Sequence, residues 1–417
     1  MIQTGTDNAN ARRAALDIAQ AALAAVHGRI VVGNELRECS LSDVVHVIAI
    51  GKAAAAMMRG SLDVLGASVD RGLVVTKSGH GDAALTQMSN IICLETGHPL
   101  PDANSLKAGA TLLAFIDSTP RDASLLFLIS GGASSLVEVL PEGVTLDDLR
   151  CTNAWLLGSG LDIAAMNAVR KALSEIKGGK LAARLQGRRT LALLISDVRG
   201  DDPAVIGSGL LVVEAAVPRL DALALPEWLS ALCARSPVIS ASSTANIDVR
   251  IVARLTDALN AAMRHAQALG YECCVHETFL AGDVYTSGQR VACALVNSAP
   301  GVHLWGGETT VVLPAQPGQG GRNQTLALAA ALELRGREDC VLLALGSDGT
   351  DGTTEDAGAL VDGDTIARGE MDGLDAQACL AGADAGRYLE ASGDLVHTGP
   401  TGTNVMDIVV GLKLTTN

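Results

Sequence analysis

Short apolar runs and amphipathic stretches alternate along most of the chain. Residues 11–26 (ARRAALDIAQAALAAV) carry apolar side chains at helical spacing, which predicts an Ala-rich amphipathic helix. VVHVIAIGKAAAAMM then reads as a buried strand over about 44–50, a glycine turn, and a helix opening at Lys52. The unit recurs: GLVVTKSG and LLFLISGGASS are strands running into loops, and LALLISDVRGDD is a strand ending in acid. Helical stretches over 104–116 and 162–186 separate them, and this alternation implies βαβ units and a parallel sheet.

Between about 210 and 245 the pattern weakens into a segment with three prolines and a Ser-rich end, PRLDALALPEWLSALCARSPVISASSTAN. A domain boundary is expected there, giving domains 1–240 and 241–417. Beyond it come a helix over 250–269, the strand ECCVHET, another helix, and VHLWGGETTVVLP, which reads as a pair of antiparallel strands. The Gly-rich loop PGQGGRNQ, a helix, the strand CVLLALGSDGTDG and a final GPTGTNVMDIVVGLKL complete the chain. The fold class is α/β in two domains.

A chain of 417 residues exceeds one ordinary hydrophobic core. Hydrophobic residues make up 48% but aromatics only 2%, so that core must be Ala, Val, Leu and Ile, which suits helices on buried parallel strands. The formal charge of −15 argues against a nucleic-acid partner. Nine cysteines with no C-x-x-C give neither a disulfide framework nor a zinc signature, and free thiols point to a reducing compartment. With no signal core and no apolar window of about 18 residues, a cytoplasmic location without a membrane partner is expected.

Loops suited to anions follow the strands. Ser130-Gly131-Gly132-Ala133-Ser134-Ser135 offers small residues whose backbone N–H groups can converge on a phosphate, or can simply make a tight βα turn. No G-x-x-x-x-G-K-[ST] occurs, and the first strand lacks G-x-G-x-x-G, so neither a P-loop nor a dinucleotide fingerprint is present. Lys52 stands at a strand-to-helix turn, where a bound anion would offset its repulsion by the helix dipole. Asp197, Asp348 and Asp351 follow strands, where acids of open α/β sheets face the ligand crevice and can hold Mg²⁺ or orient a hydroxyl. Arg322 lies in a Gly-rich loop before a helix, a place for bidentate capture of carboxylate or phosphate. Gly399, Thr401 and Asn404 add backbone N–H groups, a hydroxyl and an amide. Together these loops form the inventory of a phosphotransferase.

SGGASS, SDVRGDD, MNAVRKALSEIKGGKLA, GGET, GGRNQ, GSDGTDG and GPTGTNVMD occur in this order, and the chain from about residue 45 onward resembles the glycerate 2-kinases with a C-terminal MOFRL domain, proteins often labelled hydroxypyruvate reductases. The resemblance implies an N-terminal Rossmann-like αβα sandwich with a mostly parallel sheet and a smaller C-terminal α/β domain with a mixed sheet, enclosing a cleft. It implies ATP and Mg²⁺ as cofactors and D-glycerate as substrate, phosphorylated at the 2-hydroxyl to 2-phosphoglycerate. It maps the essential lysine onto Lys52, the loop arginine onto Arg322, the SGG turn onto Ser130, Gly131 and Gly132 with Ser134 beside it, and the SDV acid onto Asp197. Nucleotide contacts are expected from that turn and from Gly399, Thr401 and Asn404, and metal contacts from Asp348 and Asp351. A homodimer is compatible with the sequence. Ala133, the segment Ser208-Gly209-Leu210-Leu211, Thr325 and Asp283 depart from the family pattern, which bears on substrate preference more than on reaction type.

Three rivals remain: a hydroxypyruvate reductase using NAD(P)H, which needs the missing fingerprint; a non-catalytic sugar-acid or nucleotide binding protein, for which four loops with two basic residues and several acids are more than binding requires; and a kinase of a related hydroxy acid. The motifs are split between the two halves of the chain, so a reaction using both sets requires closure, with a hinge expected near 210–245. Small-angle scattering should therefore give a smaller radius of gyration when an ATP analogue and glycerate are both bound. An unchanged radius would remove the closure step.

Overall fold

The computed structural model describes residues 4–39, 41, 44–213, 220–235 and 246–415. Among the described residues, twelve strands form two six-stranded sheets, one in each compact unit save that the strand Ile247–Ala253 ends one residue beyond its own.

In the unit Gly28–Val252, the strands are β1 (Val45–Ile50), β2 (Val69–Lys77), β3 (Ile91–Thr96), β4 (Ser124–Ile129), β5 (Thr190–Ile195) and β6 (Ile247–Ala253). Their order is β3-β2-β1-β4-β5-β6, and the pairings from β3 through β5 are all parallel. β1, β4 and β5 are buried at every residue, as expected for strands covered by helices on both faces. Ile48, Ile50, Leu73, Val75, Phe127 and Leu194 form the centre of the core, against Leu112, Phe115 and Ile116 of the helix Ala103–Asp117. That helix starts where Asp102 and Ser105 make a reciprocal capping box. The strand order runs outward from β1 in one direction and then from β4 in the other. This is the doubly wound Rossmann-like arrangement, and its switch point lies between β1 and β4.

The second unit contains Met1–His27 together with Ala253–Asn417. Its strands are β7 (Cys273–Val275), β8 (Gly301–Gly307), β9 (Cys340–Gly346), β10 (Gly358–Asp362), β11 (Leu395–Val396) and β12 (Asp407–Lys413). The sheet is mixed: its order is β11-β10-β9-β12-β8-β7, with β7 parallel to β8 and the other pairings antiparallel. The helix Arg322–Leu334 lies on it and fully buries Ala327, Ala329, Ala330 and Ala331, the aromatic-poor core that the composition demanded.

Several local expectations are corrected. The helix placed at 250–269 begins at Leu255; residues 247–253 instead form β6, at the far edge of the first sheet. The stretch 162–186 splits into the helices Ile163–Ala172 and Lys180–Arg184, because Gly178 and Gly179 both take positive φ. Residues after Gly307 form no second strand of a hairpin: both edges of β8 are already taken by β7 and β12. Lys52 sits in the turn, two residues before the helix Ala54–Leu65, rather than in its first turn.

The division of the chain also falls elsewhere than at 240/241. The helix Thr4–Ala25 belongs with the second unit, where Ala11, Ala15, Ile18 and Ala22 are buried and it packs on the helix Leu255–Ala268. Arg12 reaches Asp362 at 2.5 Å and Asp394 at 2.8 Å, and Arg368 pairs with the same two acids. Burial pushes the Asp362 carboxyl up, but Arg12 and Arg368 outweigh it and hold it below the ordinary carboxylate range. The chain crosses between units at His27/Gly28 and Val252/Ala253, not within 210–245. Of that expected hinge, residues 214–219 and 236–245 lie outside the described residues. The helix Glu227–Cys233 is packed into a cluster with Leu156, Val169 and Leu173 of the first unit.

Asp394→Ala would leave both guanidiniums facing a lost carboxylate. The cost should be about 3 kcal/mol, the low end for breaking a buried pair, since the two arginines are partly exposed and can rehydrate. Calorimetry should show a lower thermal midpoint; a midpoint equal to the parent's would show that apolar packing alone holds the N-terminal helix.

Candidate functional site

At the switch point, the turns leaving β1 and β4 are hydrogen-bonded to each other. Ser130 N–H donates to Ile50 O at 3.0 Å, Lys52 N–H donates to Gly131 O at 2.9 Å, and Ala53 N–H donates to Ser130 Oγ at 3.0 Å. Gly51 has φ +132°, and a Cβ there would lie 2.2 Å from Ser130 Oγ, so only glycine permits the crossing. Gly132, at φ +84°, presents an open face to which the Lys52 stem and the His98 ring both approach. Lys52 is half-buried and Ser130 fully buried.

β5 ends beside this turn, since Leu194 is the register partner of Ile129; Asp197 is thus on the same carboxyl edge, half-buried. Ser134 and Ser208 share a hydrogen bond of 2.7 Å that ties the loop after β5 to the turn. The basic run Arg170–Lys180 supports that loop from behind. Lys171 Nζ donates to Ala204 O at 3.0 Å, and Gly178 N–H donates to Ser208 O at 2.9 Å. Lys177 pairs with the buried Glu138. Lys180 donates to the carbonyls of Lys171 and Ser174, and burial pulls its ammonium down to about 8. Lys171 and Lys180 thus hold backbone carbonyls, and Lys177 a buried carboxylate.

In the second unit, register sets the chemistry. Asp407, the first residue of β12, is opposite both Gly307 of β8 and Gly346 of β9. Glu308, Asp407 and the Ser347–Asp348 turn therefore share one edge of the sheet. Arg322, at the start of the helix Arg322–Leu334, is 2.5 Å from Glu308 and 3.6 Å from Asp407. Burial disfavours its charge, but Asp407 and Glu308 outweigh that and raise its pKa. Asp351 takes the backbone N–H groups of Asn323 and Gln324 at 3.0 and 2.8 Å, one on each oxygen, and so caps that helix. Burial still pushes its carboxyl up to about 6. Asp407 is pushed up to about 7 by burial, against the pull of Arg322 and a 3.0 Å bond from Asn323.

Asp348 is buried, and its Oδ1 accepts from Thr350 N–H at 3.0 Å. Thr401 donates its hydroxyl to Ser347 O, and Val405 N–H donates to Ser347 Oγ at 2.7 Å, so the Gly399–Asn404 loop is fastened to the Asp348 turn. Among the described residues, the buried atoms Asp407 Oδ2, Asn323 Oδ1, Gln324 Oε1 and Thr403 Oγ1 make no hydrogen bond, although Arg322 lies 3.6 Å from Asp407 Oδ2.

The expected residues thus form two groups. Lys52, Ser130, Gly131, Gly132, Ser134 and Asp197 gather at the switch point of the first unit. Arg322, Asp348, Asp351, Gly399, Thr401 and Asn404 belong to the second. Sequence reasoning did not single out His98, Glu308 or Asp407. The last two stand inside the GGET and GPTGTNVMD motifs, so the signal was present, but only the strand register shows that they meet Arg322.

Residues 14–230 match the family model described as a domain of unknown function, DUF4147, and residues 301–407 match the MOFRL family. The chain is 34% identical to a D-glycerate 2-kinase of Thermotoga maritima over 97% of its own length and 99% of that protein's. It is 35% identical to a glycerate 2-kinase of Pyrococcus horikoshii, over 90% and 89%. A protein of Agrobacterium vitis with a provisional hydroxypyruvate reductase name is 38% identical, over 96% and 94%. The crystal structure of the Thermotoga maritima glycerate kinase superposes with a TM-score of 0.82 at 33% identity, covering 97% of this chain and all of that one. With both family models matched in order and relatives aligned over nearly its whole length, the chain belongs to the glycerate 2-kinase family.

Proposed function

We propose that this protein transfers the γ-phosphoryl group of ATP to the 2-hydroxyl of D-glycerate. The observation that carries the reading is the pair of interlocked turns at the β1/β4 switch point. They present Lys52 and small-residue backbone at the carboxyl edge of a doubly wound sheet, with neither a P-loop nor a dinucleotide fingerprint in the sequence.

Phosphoryl transfer asks the protein chiefly to position its substrates and neutralise charge. Lys52 and Arg322 are the cations assigned to that work, on the transferred phosphoryl group or the glycerate carboxylate. Ser130, Gly131, Gly132 and Ser134 are assigned to the nucleotide phosphates, with Gly399, Thr401 and Asn404 as further ligand contacts. Mg²⁺, when bound, would neutralise phosphate oxygens, and such sites need only one or two protein carboxylates. Asp348 and Asp351 are the carboxylates assigned to that need, with Asp197 as the other candidate; each oxygen of Asp351 also accepts a helix N–H. Asp197 is also assigned to orient the attacking hydroxyl. Asp407, whose carboxyl burial pushes up to about 7, is the other acid matched to accepting its proton.

Purified protein should consume ATP with D-glycerate, and phosphorus NMR should identify 2-phosphoglycerate as the product. NADH should not be oxidised in the presence of hydroxypyruvate. Oxidation of NADH without ATP turnover would replace the kinase by the reductase.

Lys52→Ala should lower kcat by about 100-fold or more with the fold intact, the scale for losing one preorganised charge contact. Arg322→Lys should be similarly impaired, since an ammonium cannot reproduce a bidentate fork. Steady-state kinetics with circular dichroism of each variant checks this; a folded variant within twofold of the parent would move that residue out of the site.

A further inference from the structure

Cys274, His276 and His303 come together on one face of the second sheet, at its β7 edge. Side chains alternate along strands, so Cys274 and His276 project to the same side, and His303 of β8 is the register partner of Cys274. One candidate ligand atom from each lies within 4.8 Å of the others. Cys274 is exposed, His276 half-buried and His303 buried.

The hydrogen bonds fix which nitrogen of His303 is bare. Its Nε2 is 3.0 Å from Ala299 O, which can only accept, and 2.9 Å from Ser298 Oγ. Ser298 donates its own hydroxyl hydrogen to Leu295 O at 2.7 Å, so it too accepts from His303. The proton is therefore on Nε2, and Nδ1 carries the lone pair. A ring N–H donated to a backbone carbonyl is the support that metal-binding histidines ordinarily have. His276 is held flat against Trp305, 4.3 Å between centroids and 6° between planes, which fixes its ring. Its Nε2 faces His303 Nδ1 at 3.3 Å. Two nitrogens bound at 2.0–2.1 Å about a tetrahedral ion lie about 3.3–3.4 Å apart, so the spacing of this pair matches that of two ligands sharing one.

We infer that Cys274, His276 and His303 form a binding site for a borderline-soft divalent cation of the Zn²⁺ type, with a fourth position open to solvent. Thiolate with two imidazoles selects such an ion over Mg²⁺, so the site is separate in kind from any oxygen-ligand site of the kinase reaction. Binding releases the Cys274 thiol proton to solvent and moves the His276 proton from Nε2 to Nδ1. Burial and the neighbouring His303 already keep the His276 pKa below its ordinary value, which favours the neutral ligand form. C-x-H at the end of one strand and a lone histidine 27 residues later match no spacing signature, so no zinc signal is legible in the sequence.

Zn²⁺ titrated into the full chain should protect Cys274 from iodoacetamide, read by peptide mass mapping, while the exposed Cys151 and Cys293 stay reactive. Co²⁺ should bind at one equivalent with a thiolate charge-transfer band. Cys274→Ser, a change at an exposed position, should lose that band and weaken binding at least about tenfold, the least expected when even a supporting residue of a metal site is lost. His303→Ala should abolish protection of Cys274. Unchanged alkylation of Cys274 under Zn²⁺, or a Cys274→Ser protein with the parent's cobalt spectrum, would overturn the site and leave His276–His303 as a plain hydrogen bond.

Discussion

The first unit depends on a crossing of two backbone turns at the centre of its sheet. β1 and β4 are neighbours and parallel, so their carboxyl ends arrive together, and the chain after each must turn away without colliding. Gly51 makes that passage possible, and Ser130 turns it into a bonded contact by placing its hydroxyl under the Ala53 N–H. Once this is fixed, Lys52 has one place to go, the SGG turn faces it, and the loop after β5 can be tied in through Ser134 and Ser208. Most of the hydrogen bonds engage backbone groups, so the arrangement is rigid before any ligand arrives, the condition under which charge stabilisation is most effective.

The second unit solves a different problem, that of holding acids in a nearly dry place. Asp351 and Asp407 are buried, and burial of a carboxylate is unfavourable unless it is paired and hydrogen-bonded. Asp351 is compensated by the helix N-terminus it caps and Asp407 by Arg322 and Asn323. Compensation is incomplete, as the raised pKa values indicate: Asp407 Oδ2 has the Arg322 charge at 3.6 Å but, among the described residues, no hydrogen bond. Such partial satisfaction is uncommon in a purely structural core, and it concentrates around the arginine that the family motif singles out.

The apolar alternation along the chain announced α/β architecture, and the strands around SGG and SDV fell where their sequences placed them. The loops carrying Lys52, Ser130, Asp197, Arg322 and Asp348 were legible because glycines, acids and basic residues after apolar runs are local features. Periodicity could not separate β6 from the helix that follows it, because its residues continue smoothly into the helix's apolar face.

What the sequence determined by itself was therefore local: which segments are strands and helices, and which loops can hold anions. Tertiary structure decided the pairings between distant segments. It attached the helix Thr4–Ala25 to a unit whose other segments begin more than 200 residues later, through Arg12 and two acids of β10 and the β11 turn. It brought Glu308 and Asp407 to Arg322 through antiparallel register, and Cys274 to His303 through parallel register. Strand order and register follow from which apolar faces pack best across the whole chain, so they cannot be read from any one segment.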